Sequence, residues 1–245
     1  MICDSNCGSE VSGLANLDYN RTFAISDLHF GAENIINWER TQFSSAAAHD
    51  MHILESLRKW ALKAPCDSVL WNLGDFGNIQ RLADYKAAID VPGKNIRTNY
   101  ILGNHCLAKD IPAFKHYFDE VYEYPVYLSQ KLILSHEPVW PIADFIVNVH
   151  GHTHSAIIDS PNHVTVSAND IDYKPFRFNK LHGVFQKLPP RNMKFLWEPY
   201  ADKYIFKNKN RTDIVMDPMT GKIDLAASRA LQKSMRDENW NLLKD

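Results

Sequence analysis

The stretch FIVNVHGHTH, residues 145–154, places three histidines at every second position directly after an apolar run. The run before His150 is rich in β-branched and apolar residues, which is typical of a buried strand. A single histidine after a strand is usually a loop residue that hydrogen-bonds to nearby backbone. Three imidazoles around Gly151 instead favour a functional site.

The same arrangement, an apolar strand followed by a polar side chain, recurs upstream. The runs TFAIS, SVLWNLG, NYILG and KLILS lead, in that order, into Asp27 and His29, Asp75, Asn104 and His105, and His136. In α/β sheets, functional groups gather just beyond the carboxyl ends of strands, where they are held rigidly but face a crevice. We therefore expect these five strand ends, which all carry metal-ligand types, to form one site.

Strand-like runs alternate with amphipathic segments, which predicts an α/β class. Ser44 or Ser45 can cap a helix that Pro65 ends. Its apolar positions recur at helical spacing, and they are Met51, Leu54, Leu57, Ala61 and Leu62. A second helix is predicted over NIQRLADYKAAID, with an apolar face formed by Ile79, Leu82, Tyr85 and Ile89.

Composition limits the class of protein. A chain of 245 residues, 45% hydrophobic and 23% charged, is long enough for one large domain and has the balance of a soluble globular protein. The formal net charge of -2 indicates no whole-chain preference for nucleic acid or anionic membrane. The apolar runs fall short of the roughly 18 to 20 residues that cross a bilayer, so no membrane association is expected. The polar N-terminus lacks the apolar core of a signal peptide, and we expect a cytoplasmic protein.

Singly, each strand-end motif is weak evidence, because a glycine followed by Asp or Asn is often only a turn. In order, the motifs DLH, GD, GNH, a solitary strand-end His and GHTH resemble the calcineurin-like metallophosphoesterase superfamily. The resemblance spans residues 22 to about 178 and is greatest to the small bacterial and phage phosphohydrolases. Their pattern is similar to ISDLHFGAENII, LGDFG, ILGNH, LSHEP, VHGHTH and DYKPF.

The resemblance implies a fold and a division of the chain. It implies a two-sheet β-sandwich flanked by helices, an α/β/β/α arrangement, as a core over residues 21–180. Residues 1–20 would form an N-terminal arm, and residues 181–245 a C-terminal extension.

The resemblance also implies two divalent metal ions. Asp27, His29 and His154 would hold the first, Asn104, His136 and His152 the second, and Asp75 would bridge both. Imidazole, carboxylate and amide ligands without thiolates suit Mn, Fe, Zn or Ni and argue against a closed structural zinc site. His150 has no ligand role in this pattern and is expected to support the site indirectly or to pack in the fold.

The expected chemistry follows from charge. Two divalent ions bring about +4, of which two carboxylates cancel about half, and the remainder attracts phosphate. A hydroxide that bridges the ions would attack in line. The resemblance implies that His105 protonates the leaving oxygen or stabilises the charge that develops on it. The predicted function is a dinuclear metal-dependent phosphoesterase with a mild preference for a phosphodiester, such as a nucleotide or nucleic acid. The alternative is a binding scaffold that kept the fold without catalysis.

Two positions complicate this interpretation. The superfamily usually has Asp or Glu where this chain has Cys106, and a thiol is a poor hydrogen-bond acceptor. Either Asp110 substitutes for that acid, or His105 is less well oriented, or Cys106 only packs as a small apolar residue. Arg40 could contact a substrate phosphate, although a solvated loop arginine is the commoner case.

Beyond about residue 180 the resemblance fades, and Pro189-Pro190 marks a boundary. Residues 174–211 combine many basic residues with interleaved aromatics. Such a segment could line a groove for a nucleotide or single-stranded nucleic acid, but a solvated face over packed aromatics is preferred. TDIVMDPMTGKIDL, residues 212–225, predicts a hairpin, and residues 226–243 predict a terminal helix that docks on the core or mediates self-association.

Overall fold

The computed structural model describes residues 17–188 except 157 and 159, together with the short strands at 204–206 and 214–216. The chain separates into two compact units, Met1–Pro190 and Arg191–Asp245. The strands described in the first unit are β1 (Thr22–Ile25), β2 (Val69–Asn72), β3 (Arg97–Ile101), β4 (Glu120–Tyr122), β5 (Val126–Ser129), β6 (Leu132–Ser135), β7 (Val147–His150), β8 (His163–Thr165) and β9 (Phe176–Arg177). Its helices are α1 (Glu33–Trp38), α2 (Ala46–Lys63), α3 (Leu82–Ile89), α4 (Ile111–Tyr117) and α5 (Leu181–Phe185), with 3₁₀ turns at Ile79–Arg81, Ala108–Asp110 and Phe178–Lys180.

These strands form two sheets of mixed direction. The first has the order β4-β3-β2-β1-β9, and the second the order β5-β6-β7-β8. Strands β1 to β4 run parallel and β9 is antiparallel to β1, while β6, β7 and β8 are parallel and β5 is antiparallel to β6. An isolated bridge between Ser26 and Ser167 links the segments that follow β1 and β8. The predicted mixed α/β class is confirmed, with two sheets and several helices.

The first sheet is covered on both faces by apolar side chains. One cluster joins Ala24 and Trp71 of the first sheet to Leu134 and Val149 of the second, and Leu181 of α5 completes it. A separate cluster packs the same sheet against α2, α3 and α4. It includes Phe23, Leu70, Tyr100, Ile53, Leu57, Tyr85 and Phe114. This burial on both faces explains why β1 and β2 are largely apolar.

Helix α2 begins and ends where the sequence indicates. Ser45 is the N-cap, and its hydroxyl accepts a hydrogen bond from the backbone of Ala48. The predicted apolar stripe is wrong at Met51 and Leu62, which are 54% and 52% exposed. The buried face consists of Ala46, His49, Asp50, Ile53, Leu57 and Ala61. Leu57 and Ala61 confirm part of the predicted stripe, and Leu54 packs against the core. Two residues of the buried face are polar, so hydrophobic periodicity did not detect them.

The second predicted helix is confirmed, with Leu82, Tyr85 and Ile89 buried in α3 after a 3₁₀ turn.

In the second unit, β10 (Tyr204–Phe206) pairs antiparallel with β11 (Ile214–Met216). The predicted hairpin placed the partner of β11 after it, whereas β10 precedes it. Several predicted segments lie outside the described residues. They are the other expected strand of the hairpin, the terminal helix, most of the aromatic and basic segment, and the first 16 residues. Within the described ranges, no helix combines the length and apolarity needed to span a bilayer.

Candidate metal centre

The segments that follow the parallel strands hydrogen-bond to one another at one edge of the two sheets. The backbone N–H groups of Asp27 and His29 donate to the carbonyls of Gly74 and Asp75. In the second sheet, the N–H of Gly151 donates to the carbonyl of His136. These bonds align the polar residues after β1, β2, β6 and β7, so the strand ends meet in space as expected.

One group of possible metal ligands consists of Asp27, His29 and His154, whose donor atoms lie within 4.8 Å of one another. The Nε2 atom of His154 is 3.4 Å from Oδ1 of Asp27 and 3.1 Å from Nε2 of His29. Because the two imidazole nitrogens face each other and a carboxylate, the three residues can coordinate one cation.

A second group of possible ligands consists of Asp27, Asp75 and His136, again within 4.8 Å. Oδ2 of Asp75 is 3.2 Å from Nε2 of His136 and 3.8 Å from Nε2 of His29, so this carboxylate lies between the histidines of the two groups.

The remaining two expected ligands lie beside His136. The Asn104 amide oxygen is 2.8 Å from Nε2 of His136 and 3.0 Å from Nδ1 of His152. The structure thus brings together all seven residues that the resemblance named as ligands, and it places Asp27 in both groups.

The backbone of these residues is unusual. Asp27, His29, Asp75, His152 and His154 have φ between 47° and 66°, in the left-handed region. A non-glycine residue is uncommon there, and such conformations persist only where surrounding contacts enforce them, most often at functional sites. Five of the candidate ligands therefore have conformations that local propensity disfavours.

Three glycines allow the chain to approach the ligands closely. A Cβ on Gly151 would collide with the hydroxyl of Ser26 and the carboxylate of Asp27. A Cβ on Gly103 would collide with Asp75, and one on Gly74 with the ring of His136. The glycines next to the motif residues thus provide the space that the carboxylates and the imidazole occupy.

Hydrogen bonds orient the imidazoles. Nδ1 of His136 lies 2.8 Å from the carbonyl of Leu73, to which it donates, so Nε2 is the ring nitrogen that faces the centre. Nδ1 of His154 forms a short hydrogen bond with the carboxylate of Glu39, which also accepts from the hydroxyl and the N–H of Ser155. A carboxylate behind a metal-binding histidine fixes its ring and raises its basicity. Sequence reasoning missed Glu39, because nothing in the spacing of the segment after α1 marks it.

Arg40 lies behind the site. It is fully buried, and its guanidinium donates to the carbonyls of Asp27 and Leu28, the latter at 3.1 Å, and contacts Nε2 of His49. The carbonyls of the first motif would otherwise be buried without partners. The expected contact between Arg40 and substrate finds no support in this placement, since the side chain is inaccessible and instead supports the backbone of Asp27.

The protonation states are consistent with this geometry. Burial favours the neutral Asp27 carboxyl, but the hydrogen bond from His154 and the charge of His136 outweigh it and hold the pKa well below its ordinary value. Burial also opposes a charge on His154, but hydrogen bonds to Asp27 and Glu39 raise its pKa to about 9. Burial lowers the pKa of His29 to about 4. Because a ligand histidine must be neutral, a cation bound here would displace a proton from His154.

His105 projects into the cleft in front of the site. Its side chain is 70% exposed, its N–H donates to Asp75, and its Nε2 lies 3.9 Å from Oδ2 of the same carboxylate. The cleft has a volume of about 460 Å³ and is lined by Glu39, Asp75, His105, His152, Thr153, His154, Ser155 and Ala156.

Cys106 faces away from this chemistry. Its sulfur accepts a hydrogen bond from the N–H of Gly103 and contacts the hydroxyl of Tyr100, and the side chain packs against the helical core. In the described part of the chain, neither Cys106 nor Asp110 forms a side-chain hydrogen bond with His105. The carboxylate nearest to His105 in these contacts is Asp75, so the expected substitution by Asp110 finds no support.

The donor set fits divalent cations. Buried carboxylates and imidazoles that converge within 4.8 Å cost free energy unless an ion or hydrogen bonds compensate them. Carboxylate, imidazole and amide donors, with no thiolate among them, are suited to Mn, Fe, Zn or Ni. Metal binding at this site is therefore chemically plausible, and the geometry itself does not select one metal.

Comparison with known proteins gives little further information. No protein-family profile matches the chain, and no curated protein matches it significantly. Among solved structures, the nuclease MPE of Pseudomonas putida aligns with a TM-score of 0.38 and 20% sequence identity. That alignment covers 55% of this chain and 62% of the nuclease, less than two thirds of its length.

Proposed function

We propose that this protein is a dinuclear metal-dependent phosphoesterase of the calcineurin-like metallophosphoesterase superfamily. The observation that supports this most strongly is the convergence of Asp27, His29, His154, Asp75 and His136 into two overlapping ligand groups at the strand ends. These residues are distant in sequence, and four of them, Asp27, His29, Asp75 and His154, have left-handed conformations. Such conformations persist where surrounding contacts enforce them, most often at functional sites.

Under this proposal, each ion has its own ligand set. Asp27, His29 and His154 would hold one ion, Asn104, His136 and His152 the other, and the Asp75 carboxylate would contact both. When bound, such ions supply Lewis-acid activation of water and of the phosphoryl oxygens.

The other residues of the cleft have separate roles. His105 is exposed beside Asp75, in a position to hold a proton for the leaving oxygen of the substrate. The hydrogen bond from its N–H to Asp75 fixes the backbone that carries this imidazole. Glu39 and Arg40 hold His154 and the backbone of Asp27 in place. The substrate is a phosphorylated compound, with a preference for phosphodiesters that includes nucleotides and nucleic acid.

A binding scaffold without catalysis is the weaker alternative. The sequence feature that favoured it was Cys106 in place of an acid. In the structure the thiol hydrogen-bonds to Tyr100 and Gly103 and takes no part in the ligand groups. All seven ligand positions carry suitable donors, which a scaffold would not need to retain.

The direct test uses protein loaded with Mn²⁺ or Ni²⁺ and two substrates, bis-p-nitrophenyl phosphate and p-nitrophenyl phosphate. We expect turnover of at least one, and Asp75→Asn and His152→Ala should abolish it. The matched control is His116→Ala, an exposed histidine on α4, which should retain activity.

The role of His105 requires a separate test. His105→Ala should retain metal, measured by calorimetry, but lose about 10²- to 10⁴-fold in kcat, because the residue is assigned to proton transfer and not to ligation. Loss of metal in this variant would contradict that assignment. No turnover with any metal or substrate would favour the scaffold.

A further inference from the structure

A second cavity, of about 250 Å³, adjoins the cleft of the metal centre, because Ser155 and Ala156 line both. His150, Thr165 and Asp170 are among its other lining residues. Its volume lies below the roughly 300 to 1,000 Å³ of sites for drug-sized ligands. It is far larger than the roughly 15 Å³ that one water needs. The cavity therefore suits a small polar group rather than a whole nucleotide.

Packed rings form one wall of this cavity. His150 is only 1% exposed, and its ring packs edge-on against His163, with 5.7 Å between centroids. His163 in turn stacks on Trp140 at 4.0 Å. Because His163 lies between two rings, it has little freedom to change rotamer when the cavity is filled.

His150 provides an acceptor that has no internal donor. Its Nδ1 is 2.8 Å from the carbonyl of Gly151, and since a carbonyl only accepts, Nδ1 carries the hydrogen. Nε2 then offers a lone pair, yet it is buried and has no hydrogen-bond partner among the described residues. An unpaired buried acceptor is costly, which favours a ligand or water that donates to it.

The other polar side chains of the cavity have their donors already engaged. The ring nitrogens of His163 contact the carbonyl of Val139 and the hydroxyl of Ser160. The hydroxyl of Ser155 donates to Glu39, and that of Thr165 donates to Asp170 or to Ser167. These hydroxyl protons are already used, and Asp170 contributes a carboxylate. Among the described lining residues, therefore, no hydroxyl proton remains for an anion, and a phosphate would be repelled while a donor-bearing group is favoured.

We propose that this cavity is a subsite for a neutral hydroxyl-bearing group attached to the substrate phosphate, as in sugar or glycerol phosphates. The inference rests on the proposed phosphoesterase function, because the shared residues place the subsite next to the cleft. The hydrogen bonds from Thr165 to Ser167 and from Ser167 to Asp27, at 3.4 and 2.7 Å, connect the cavity to the candidate ligand.

Three p-nitrophenyl phosphodiesters with the same leaving group test the proposal: the cyclohexyl, trans-4-hydroxycyclohexyl and trans-4-aminocyclohexyl esters. The ring keeps the hydroxyl away from the phosphorus, so it cannot displace p-nitrophenolate itself. For the Mn²⁺-loaded protein we expect kcat/KM for the hydroxycyclohexyl ester to exceed that for the cyclohexyl ester about tenfold, the effect of one or two hydrogen bonds. Equal values would overturn the subsite and leave the phosphoesterase function intact. A preference for the aminocyclohexyl ester would overturn the assignment to a neutral hydroxyl group.

Two variants locate the effect. His150→Asn keeps an amide donor for the carbonyl of Gly151 and removes the acceptor at Nε2, and Asp170→Asn removes an exposed carboxylate with little risk to folding. Both should bring the ratio of the two kcat/KM values towards one. The control is Asp172→Asn, an exposed carboxylate paired with Lys174, which should keep the ratio. An unchanged ratio in both test variants would place the hydroxyl groups elsewhere and overturn the proposal.

If no ester is hydrolysed, binding decides the question. Saturation-transfer NMR of methyl β-D-ribofuranoside with the metal-free protein should show contact that Asp170→Asn weakens. Such a result would retain the subsite while the proposed function fails. In that case, absence of saturation transfer would overturn the subsite too.

Discussion

At the scale of single residues, the site depends on positions where any side chain is excluded. Gly151 follows β7 and precedes two candidate ligands, and a Cβ there would collide with Ser26 and Asp27. The sequence places this glycine among three histidines, but only the tertiary structure identifies the atoms that a side chain would meet.

Gly151→Ala is therefore expected to destabilise the fold by roughly 1–3 kcal/mol, the usual cost of overpacking, and to weaken Mn²⁺ binding. Chemical denaturation and calorimetry measure the two effects. Gly183→Ala is the matched control, because a Cβ on that residue of α5 meets nothing within 4 Å. It should be neutral or stabilising by about 0.5–1 kcal/mol. Equal effects of the two substitutions would contradict the close approach.

Glu39 is the residue whose importance only the structure shows. Its carboxylate holds His154 and Ser155, so Glu39→Ala should weaken Mn²⁺ binding about 10- to 100-fold, and Glu39→Gln should restore part of the loss. Titration calorimetry provides the dissociation constants. Glu55→Gln removes an exposed glutamate of α2 and should leave the affinity unchanged. Wild-type affinity in Glu39→Ala would show that the carboxylate does not orient a ligand.

At the scale of elements, α2 shows how a functional site changes a helix. The capping serine and Pro65 predicted its ends correctly. Its apolar spacing predicted only part of the buried face, because His49 and Asp50 also occupy inward positions. His49 contacts Arg40, and Asp50 accepts from the N–H of Gly31 and from Arg81. The face of α2 towards the first motif is thus partly polar, a feature that hydrophobic periodicity does not detect.

The buried His49 gives this element a dependence on pH. Burial, followed by the charge of Arg40, lowers its pKa from 6.5 to about 3. The folded protein keeps this imidazole neutral, whereas the unfolded chain protonates it near pH 6.5. The unfolded state then binds more protons, so stability falls as pH drops from 6.5 towards 3, by at most about 1.4 kcal/mol per pH unit.

In His49→Gln, the free energy of unfolding should fall less steeply as the pH drops below 6.5. Glutamine keeps an acceptor for Arg40 but does not titrate. Urea unfolding of the metal-free protein at pH 7, 6 and 5 measures the slope. His116→Gln, on the exposed side of α4, should keep the wild-type slope. Identical slopes for His49→Gln and the wild type would show that His49 is not responsible.

At the scale of the whole first unit, the candidate ligands come from both sheets. Asp27 and Asp75 follow strands of the first sheet, while His136 and His152 follow strands of the second. A bound cation would therefore link the two layers of the fold. Ligands that bind only the folded state stabilise it by mass action.

Mn²⁺ at 100 times its dissociation constant should thus stabilise the protein by about 2.7 kcal/mol, seen as a rise in Tm, and EDTA should reverse it. Asp27→Asn, which affects both ligand groups, should abolish the rise, whereas Asp172→Asn should retain it. A Tm independent of Mn²⁺ in the wild type would argue against a metal centre. The same result would remove the main support for the proposed function.

The sequence by itself determined the five strands that precede the candidate ligands, the approximate ends of α2 and α3, and the residue types at those strand ends, because these follow from local patterns of apolar residues, caps and breakers. It also indicated that the strand ends would meet. Tertiary structure alone decided that Arg40 is buried, that Glu39 reaches His154, that Cys106 faces Tyr100, and that His150 lines a second cavity. These features depend on contacts between segments far apart in the chain, and no local pattern specifies which distant group a side chain will meet.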